Sequence, residues 1–441
     1  MKPYQLAPLT TLERHLKDHA VSLKPAKRRD GVESWFPYYA GYSSDFVREA
    51  LIGLGAAPGW TVLDPWNGAG TTTSVADPLG CDALGFDINP VATLVAAARL
   101  AHSSDASHSQ GLARELLAVA TRSAARLEPT DPLLAWISPR LTRRYRSIER
   151  AVLALLGTKA EMPVNLQLET PPPLAAFFLL CLIRTSRGFA RMKATTNPTW
   201  SSPERRGDAT ADTFDTAFLS MVESCAADAE SAASTRFSTR ATRSAVFLGD
   251  ARNLPLDDQS IDAVITSPPY CTRIDYFRAT LFELAALGIG PTSERFRELR
   301  STAMGTNLMR GERPQGMEEL PGTVRCLLRR IANHPSKASD TYYHRHYSQY
   351  FADAHRSLLE LHRVLKPGAC AVLVVQSSYY KNLPVRLGQL FQSLGKSIGF
   401  DARIVLRVPV SKVLANINSR ATAHVPDRKY TEDVIALQRA A

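Results

Sequence analysis

The stretch "WTVLDPWNGAGTTTSVADPLGCDALGFDINPVATLVAAARLA" limits the fold more than any other part of this chain. A short apolar run from Thr61 to Leu63 reads as a strand and delivers Asp64. Gly68 and Gly70 follow, at positions where backbone can turn tightly or approach a ligand. Thr71 and Thr72 then open a helix. A second strand, Ala83 to Phe86, ends on a second acid, Asp87, 23 residues beyond Asp64. The two strands are joined through a helix and not through a tight hairpin, and a crossover of that kind makes neighbouring strands parallel. The expected class is α/β, a Rossmann-like doubly wound sheet with ligands at the carboxyl ends of its strands.

The same pattern resumes late in the chain. "SAVFLGDARNLP" offers a third strand and a third acid, Asp250, and "IDAVITSPPY" a fourth strand that stops at Ser267-Pro268-Pro269-Tyr270. Proline fixes φ and has no N–H, so the two prolines cannot join a ladder, and they push the residues before them into extended geometry. The result is a stiff strand end beside a hydroxyl and an aromatic face. An amphipathic helix marked by Phe351, Ala354, Leu358, Leu361 and Leu365 leads to "ACAVLVVQ", and "FDARIVLRVPV" and "EDVIALQR" are two more strands. The glycine turn alone is weak, and it is not the dinucleotide fingerprint, because Thr73 stands where a third glycine belongs. Each acid alone reads as a cap or turn residue. Three of them at successive strand ends, all on the ligand side of such a sheet, read as a nucleotide site.

The segment between the two α/β parts differs. Residues 103–244 are mostly helical in pattern, with loops at "LETPPP" and "ATTNPTWSSPERRGD". The whole chain of 441 residues carries 53 basic and 42 acidic residues, a net charge of +11. Between Arg140 and Arg206 there are twelve Lys or Arg and four acids. That one-sided balance points to a polyanion. The expected organisation is an N-terminal arm over 1–34, a discontinuous core over 35–102 and 245–441, and a basic helical insertion over 103–244. Within the core, 291–340 reads as an irregular Arg-rich stretch.

Hydrophobic residues make up 45% of the chain and charged residues 22%, the balance of a globular protein with a sizeable core. The longest apolar segment, Pro173 to Ile183, is of core-helix length and too short to span a bilayer. The first residues lack a signal-peptide apolar region. Six scattered cysteines with no CxxC pair argue against a zinc cluster or disulfide framework and fit a reducing cytoplasm. No metal-ligand spacing is present, so neither a metal nor a membrane is expected as partner.

"DPWNGAGTTT" before "FDINP", with "GDARNLP" before "DAVITSPPY", resembles the S-adenosylmethionine-dependent amino-methyltransferases of DNA. The resemblance covers roughly 35–102 and 245–437. The S-PPY form is most similar to cytosine-N4 enzymes, whereas D-PPY is more usual for adenine-N6. The resemblance implies S-adenosylmethionine as cofactor, with Phe46 near its methionine part. It implies Asp64, Gly68 and Gly70 along methionine and sugar, with Thr71 at the start of the adjoining helix. It also implies Asp87 on the ribose hydroxyls and Asp250 on the adenine amine. Trp66, where the family usually has phenylalanine, is expected to pack on the cofactor.

The strand end has a matching chemical reading. The exocyclic amine of cytosine is a poor nucleophile, because its lone pair is delocalised into the ring. Two acceptors, Ser267 Oγ and the Pro268 carbonyl, can hold its N–H groups and turn the lone pair toward the methyl group. Pro269 adds rigidity, and Tyr270 offers a face for a flipped-out base. Cys271 does not have the Pro-Cys context of carbon-5 methylation and reads as a bystander. Asp275 reads as a loop-orienting residue or as the cap of the helix beginning at Tyr276. Double-stranded DNA with its target base flipped is the expected partner, together with a cognate restriction or defence protein. Arg143, Arg144 and Arg146 are expected on phosphates, and Trp200, Arg205 and Arg206 in target recognition. Competing readings are a DNA adenine-N6 methyltransferase, a tRNA guanine-N2 methyltransferase, and a nucleic-acid-binding module with a relict cofactor site.

Overall fold

The structure, a computed structural model, describes residues 9–24, 31–36, 41–101, 108–157, 170–194, 201–204, 210–233, 240–271, 275–306, 316–410 and 428–441. Seven strands form one sheet: β1 (Thr61–Asp64), β2 (Asp82–Asp87), β3 (Ala245–Leu248), β4 (Ile261–Thr266), β5 (Leu365–Gln376), β6 (Phe400–Val410) and β7 (Tyr430–Arg439). Their order is β6-β7-β5-β4-β1-β2-β3. β7 runs antiparallel to both of its neighbours, and the remaining pairs are parallel. From β1 the chain winds outward through β2 and β3, then returns to β4 on the other side of β1. The order therefore reverses between β1 and β4, where ligands bind in open α/β sheets. This is a Rossmann-like doubly wound sheet.

The sheet is buried on both faces, and the side chains alternate between them with the two-residue period of strands. Leu63, Val264, Leu373 and Ile435 belong to one apolar cluster, and Val62, Ala263, Val372 and Val434 to another. The helices covering the second face are α1 (Leu9–Asp18), α2 (Ser44–Leu54) and α3 (Thr71–Ala76). α4 (Pro90–Ala98) follows β2, and the insertion folds onto it as α5 (Ser109–Arg122), α6 (Pro139–Leu156), α7 (Pro173–Phe189) and α8 (Ala211–Ala233). Beyond β4 come α9 (Tyr276–Ala279), α10 (Leu281–Ala286), α11 (Glu294–Thr302), α12 (Gly322–Ala332), α13 (His344–Val364) and α14 (Leu387–Ile398). The last three cover the first face.

Three expectations about organisation change. The arm includes a helix, α1, whose Leu9, Leu12 and Leu16 are buried against the sheet layer; their spacing of three and four residues was an available signal. The insertion packs onto the α/β core. Its helices share one core with α4 and α10, in which Leu94, Phe178, Phe214 and Phe282 are all buried. Within 291–340, two helices, α11 and α12, replace an irregular stretch. Among the described residues no helix is long and apolar enough to cross a membrane, and the apolar segment at Pro173 lies in α7, buried in the core.

Gly70 opens α3 with φ of 83°. A Cβ added there would lie 2.7 Å from the Ala96 Cβ and 2.9 Å from its Cα, both in α4. Gly70→Ala should therefore lower stability by about 2–4 kcal/mol through overpacking and left-handed strain. Urea denaturation would show this as a reduced midpoint with an unchanged slope.

Candidate active site

A cavity of about 470 Å³ opens at the carboxyl ends of β1, β2, β3 and β4, within the size range of small-ligand sites. Trp66, Gly68 and Thr71 line it from the β1 loop, Asp87 from β2, Asp250 and Arg252 from beyond β3, and Ser267 to Tyr270 from beyond β4. Tyr42 and residues 33, 34 and 36 close one side, and Tyr276, Phe277 and Thr302 to Met304 another.

Asp64, Gly70 and Phe46 are not in the wall. Asp64 is 1% exposed and sits behind it. Its carboxylate accepts from the hydroxyls of Tyr42 (2.7 Å) and Thr266 (2.6 Å) and from the Trp66 N–H (3.1 Å). Burial raises its pKa, and these bonds oppose the rise. Gly70 serves the crossing of α3 and α4. Phe46 is fully buried among Leu12, Leu51 and Val62. Ahead of α2, Gly41 and Tyr42 reach the cavity, and the Tyr42 hydroxyl also touches Thr72. Ser43 explains the exchange. Its side chain caps α2 by accepting from the Phe46 N–H at 3.0 Å, which turns Phe46 into the helix's apolar face and leaves Tyr42 outside the helix. Residues 37–40 of the same segment lie outside the described residues.

At the β4 end, Ser267 donates its hydroxyl proton to the Val374 carbonyl of β5 at 3.0 Å. A hydroxyl has one proton, and the Tyr270 hydroxyl lies 3.4 Å away, so with the proton on Val374 the Ser267 oxygen is an acceptor toward Tyr270 and the cavity. The Pro269 carbonyl accepts from the Tyr350 hydroxyl at 2.8 Å, which pins the second proline to α13. Tyr270 packs in part on the core and lines the cavity. Cys271 is buried outside the wall, and burial pushes its thiol pKa up, so it offers no nucleophile. Asp275 caps α9 through the Arg278 N–H (3.1 Å) and pairs with Arg300 of α11 at 2.5 Å.

No family model matches the chain. It is 23% identical over 414 residues to the type II methyltransferase M.AvaI of Nostoc sp. (strain PCC 7120 / SAG 25.82 / UTEX 2576), across 86% of this chain and 81% of that one. It is 24% identical over 297 residues to the type II methyltransferase M.BsoBI of Geobacillus stearothermophilus, across 63% of this chain and 57% of the other. This chain is a relative of the type II methyltransferases. A solved geranyl diphosphate methyltransferase aligns over 90% of the chain and 78% of its own, at 8% identity with a TM-score of 0.31, too low for the likeness to bear on function.

The cavity's donor set suits S-adenosylmethionine. It combines two strand-end carboxylates, a glycine turn and a guanidinium around one space. Asp87 accepts from the N–H groups of Gly68 (2.9 Å) and Asn89 (2.8 Å), yet burial raises its pKa to about 6. Asp250 lines the cavity but is not the free acceptor expected. Arg252 pairs with it at 2.6 Å, reaches Asp353 at 2.8 Å, and donates to the Thr302 carbonyl at 2.6 Å. Sequence reasoning passed over Arg252, although an Asp-x-Arg turn is a short-range pairing signal. Among the described residues, one group has metal-ligand geometry: His15, His19 and Glu49 on the α1–α2 face, outside the cavity wall.

The three arginines expected on phosphates divide. Arg144 forms two bonds to Asp215 at 2.6 and 2.7 Å. Arg146 binds Asp131 at 2.7 Å and Glu149 at 2.9 Å, and donates to the carbonyls of Ala285 and Ala286. Both are part-buried internal struts, and their partners Asp131 and Asp215 lie outside the stretch from Arg140 to Arg206. Only Arg143 is exposed. Trp200, Arg205 and Arg206 lie outside the described residues. On α12, Arg325, Arg329 and Arg330 are exposed, and no acid pairs with them among the described residues.

Two outcomes follow from these environments. Arg146→Ala leaves Asp131 unpaired and nearly buried, so stability should drop by about 3–5 kcal/mol. Arg143→Ala should change it by less than about 0.5 kcal/mol, and urea unfolding distinguishes the two. Asp87 has a folded pKa raised to about 6, so its contribution to stability is full below its unfolded value near 3.8 and lost as pH rises through about 6. Ionised Asp87 is the better acceptor for hydroxyls, so affinity for S-adenosylmethionine should run the other way. It should be about tenfold stronger at pH 7 than at pH 5. Calorimetric titration across that range should show the step, and Asp87→Asn should remove it.

Proposed function

We propose that this chain is a site-specific DNA methyltransferase that moves a methyl group from S-adenosylmethionine to the exocyclic N4 amine of cytosine. The observation that carries the reading is the Ser267 hydroxyl. It stands at the switch-point strand end, shares one cavity with Asp87, and lies closer to the Val374 carbonyl (3.0 Å) than to the Tyr270 hydroxyl (3.4 Å), so the nearer acceptor takes its proton.

S-adenosylmethionine supplies an electrophilic methyl carbon. The residues around it bind and orient. Asp87 takes the ribose hydroxyls, and the Asp250–Arg252 pair faces the adenine. Trp66, Gly68 and Thr71 support the nucleoside and methionine parts. Ser267 Oγ and the Pro268 carbonyl accept the two N–H groups of the cytosine amine and rotate its lone pair toward the methyl carbon. Tyr270 stacks on the flipped base. Catalysis is then mostly positioning. Proton loss follows methyl transfer and needs no strong base. A neutral hydroxyl is a weaker acceptor than the aspartate of adenine-N6 enzymes, which favours cytosine.

Arg143 and the exposed arginines of α12 are the phosphate contacts in this reading, and the segment around Trp200, Arg205 and Arg206 serves target recognition. Phosphate contacts set affinity without carrying sequence, so the two roles separate. Kinship with type II methyltransferases supports a role in restriction–modification, with a cognate nuclease as partner and the cytoplasm as location.

Mass spectrometry of nucleosides after reaction with DNA should find N4-methylcytosine. N6-methyladenine would overturn the choice of base, a methylated guanine in RNA would overturn the substrate, and no methylated nucleoside would overturn the activity. Ser267→Ala should lower turnover by about a hundredfold or more while cofactor affinity stays unchanged. A matching loss of cofactor affinity would move Ser267 out of the base site.

A further inference from the structure

Arg99 follows the last turn of α4 and lines the cavity. Its Nη1 donates to the Ala69 carbonyl at 2.7 Å, in the glycine turn, and its Nη2 to the Glu33 carbonyl at 3.1 Å. Its Nε is buried with no partner. Among the described residues no carboxylate lies within ion-pair distance of it. The Glu33 carboxylate, the nearest influence on its charge, is bonded instead to the Ser44 hydroxyl. Burial lowers the Arg99 pKa to about 10.

This arrangement exceeds what a clamp needs. Holding the glycine turn to residues 33–36 takes two N–H donors, and a neutral side chain could supply them. A guanidinium has five. Two of the three left over are on the terminal nitrogens of a residue that lines the cavity. Keeping a largely buried cation without a counter-ion is unfavourable unless a ligand brings one. Arg144, Arg146, Arg252 and Arg300 all have a carboxylate partner in the fold. Arg99, in the cavity wall, does not.

Position limits which anion that is. Glu33 lines the cavity beside Arg99, with its carboxylate bonded to Ser44; the other carboxylates of the wall sit at the ends of β2 and β3, and the base-facing hydroxyl at the end of β4. Arg99 lies on the opposite side, between the glycine turn of β1 and residues 33–36. A cofactor with its nucleoside over β2 and β3 and its methyl group toward β4 extends its amino-acid end there. We propose that Arg99 binds the α-carboxylate of the methionyl group of S-adenosylmethionine, completing its own ion pair only when the cofactor is bound. The inference rests on the reading of this cavity as the cofactor site.

Calorimetry with two probes tests it: S-adenosylmethionine and its decarboxylated form. The intact protein should bind the decarboxylated form at least about tenfold more weakly. Arg99→Met should weaken S-adenosylmethionine by about tenfold or more and the decarboxylated form by less than about threefold. Arg99→Lys, which keeps the charge but not the fork, should fall between on S-adenosylmethionine. Equal affinity of the intact protein for both probes, or equal losses on both in the variants, would make Arg99 a structural clamp and overturn the proposal. Thermal melting checks that each variant is folded, and the comparison on the intact protein needs no variant. Binding of neither probe would overturn the cofactor reading itself, and this inference with it.

Discussion

Asp64 is buried at the end of β1 with no cation paired to it among the described residues, and the geometry of the cavity follows from how its oxygens are used. One oxygen takes the Tyr42 hydroxyl. The other takes Thr266, at the end of β4, and the N–H of Trp66. Tyr42 and Thr72 in turn both reach the Ile265 carbonyl. The network joins the segment before α2, the glycine turn, the start of α3 and the strand that ends in the two prolines. Those are the parts that must stay in register if a cofactor on one side is to meet a base on the other. A low local dielectric strengthens such bonds and also makes each one costly to lose.

The two ends of the cavity are built from different chemistry. The β2–β3 end presents carboxylates, one of them, Asp87, with its pKa raised by burial to about 6. The strand end beyond β4 presents a hydroxyl that does not ionise, oriented by a backbone carbonyl of the neighbouring strand. In the proposed reading, holding the cofactor and holding the base are thereby subject to different conditions, although both depend on the same buried carboxylate.

Much of the sheet and the strand-end part of the wall could be read from the chain. The alternation of apolar runs with acid-ended turns gave the parallel strands, and proline chemistry singled out Ser267 to Tyr270 as a rigid strand end. What escaped reading depended on long-range partners. Arg144 and Arg146 look like part of a basic surface until Asp131 and Asp215 come to them from elsewhere in the chain. Asp250 looks like a free acid until Arg252 closes on it. Phe46 and Tyr42 exchange places because a cap at Ser43 decides where the helix begins, and boundaries are the least certain part of any sequence reading. The α1 helix is carried by three leucines and was hidden by the polar residues around them.

Gly70 belongs to the glycine turn, yet what it touches is Ala96. Its missing side chain makes room for a helix crossing, and Gly68 is the turn glycine that faces the cavity. The two glycines therefore answer to different selective pressures. A descendant that gave up its cofactor would be free to replace Gly68, but would keep Gly70 for as long as it kept this sheet. Among diverging copies, loss of the first with retention of the second would mark a scaffold that has outlived its chemistry.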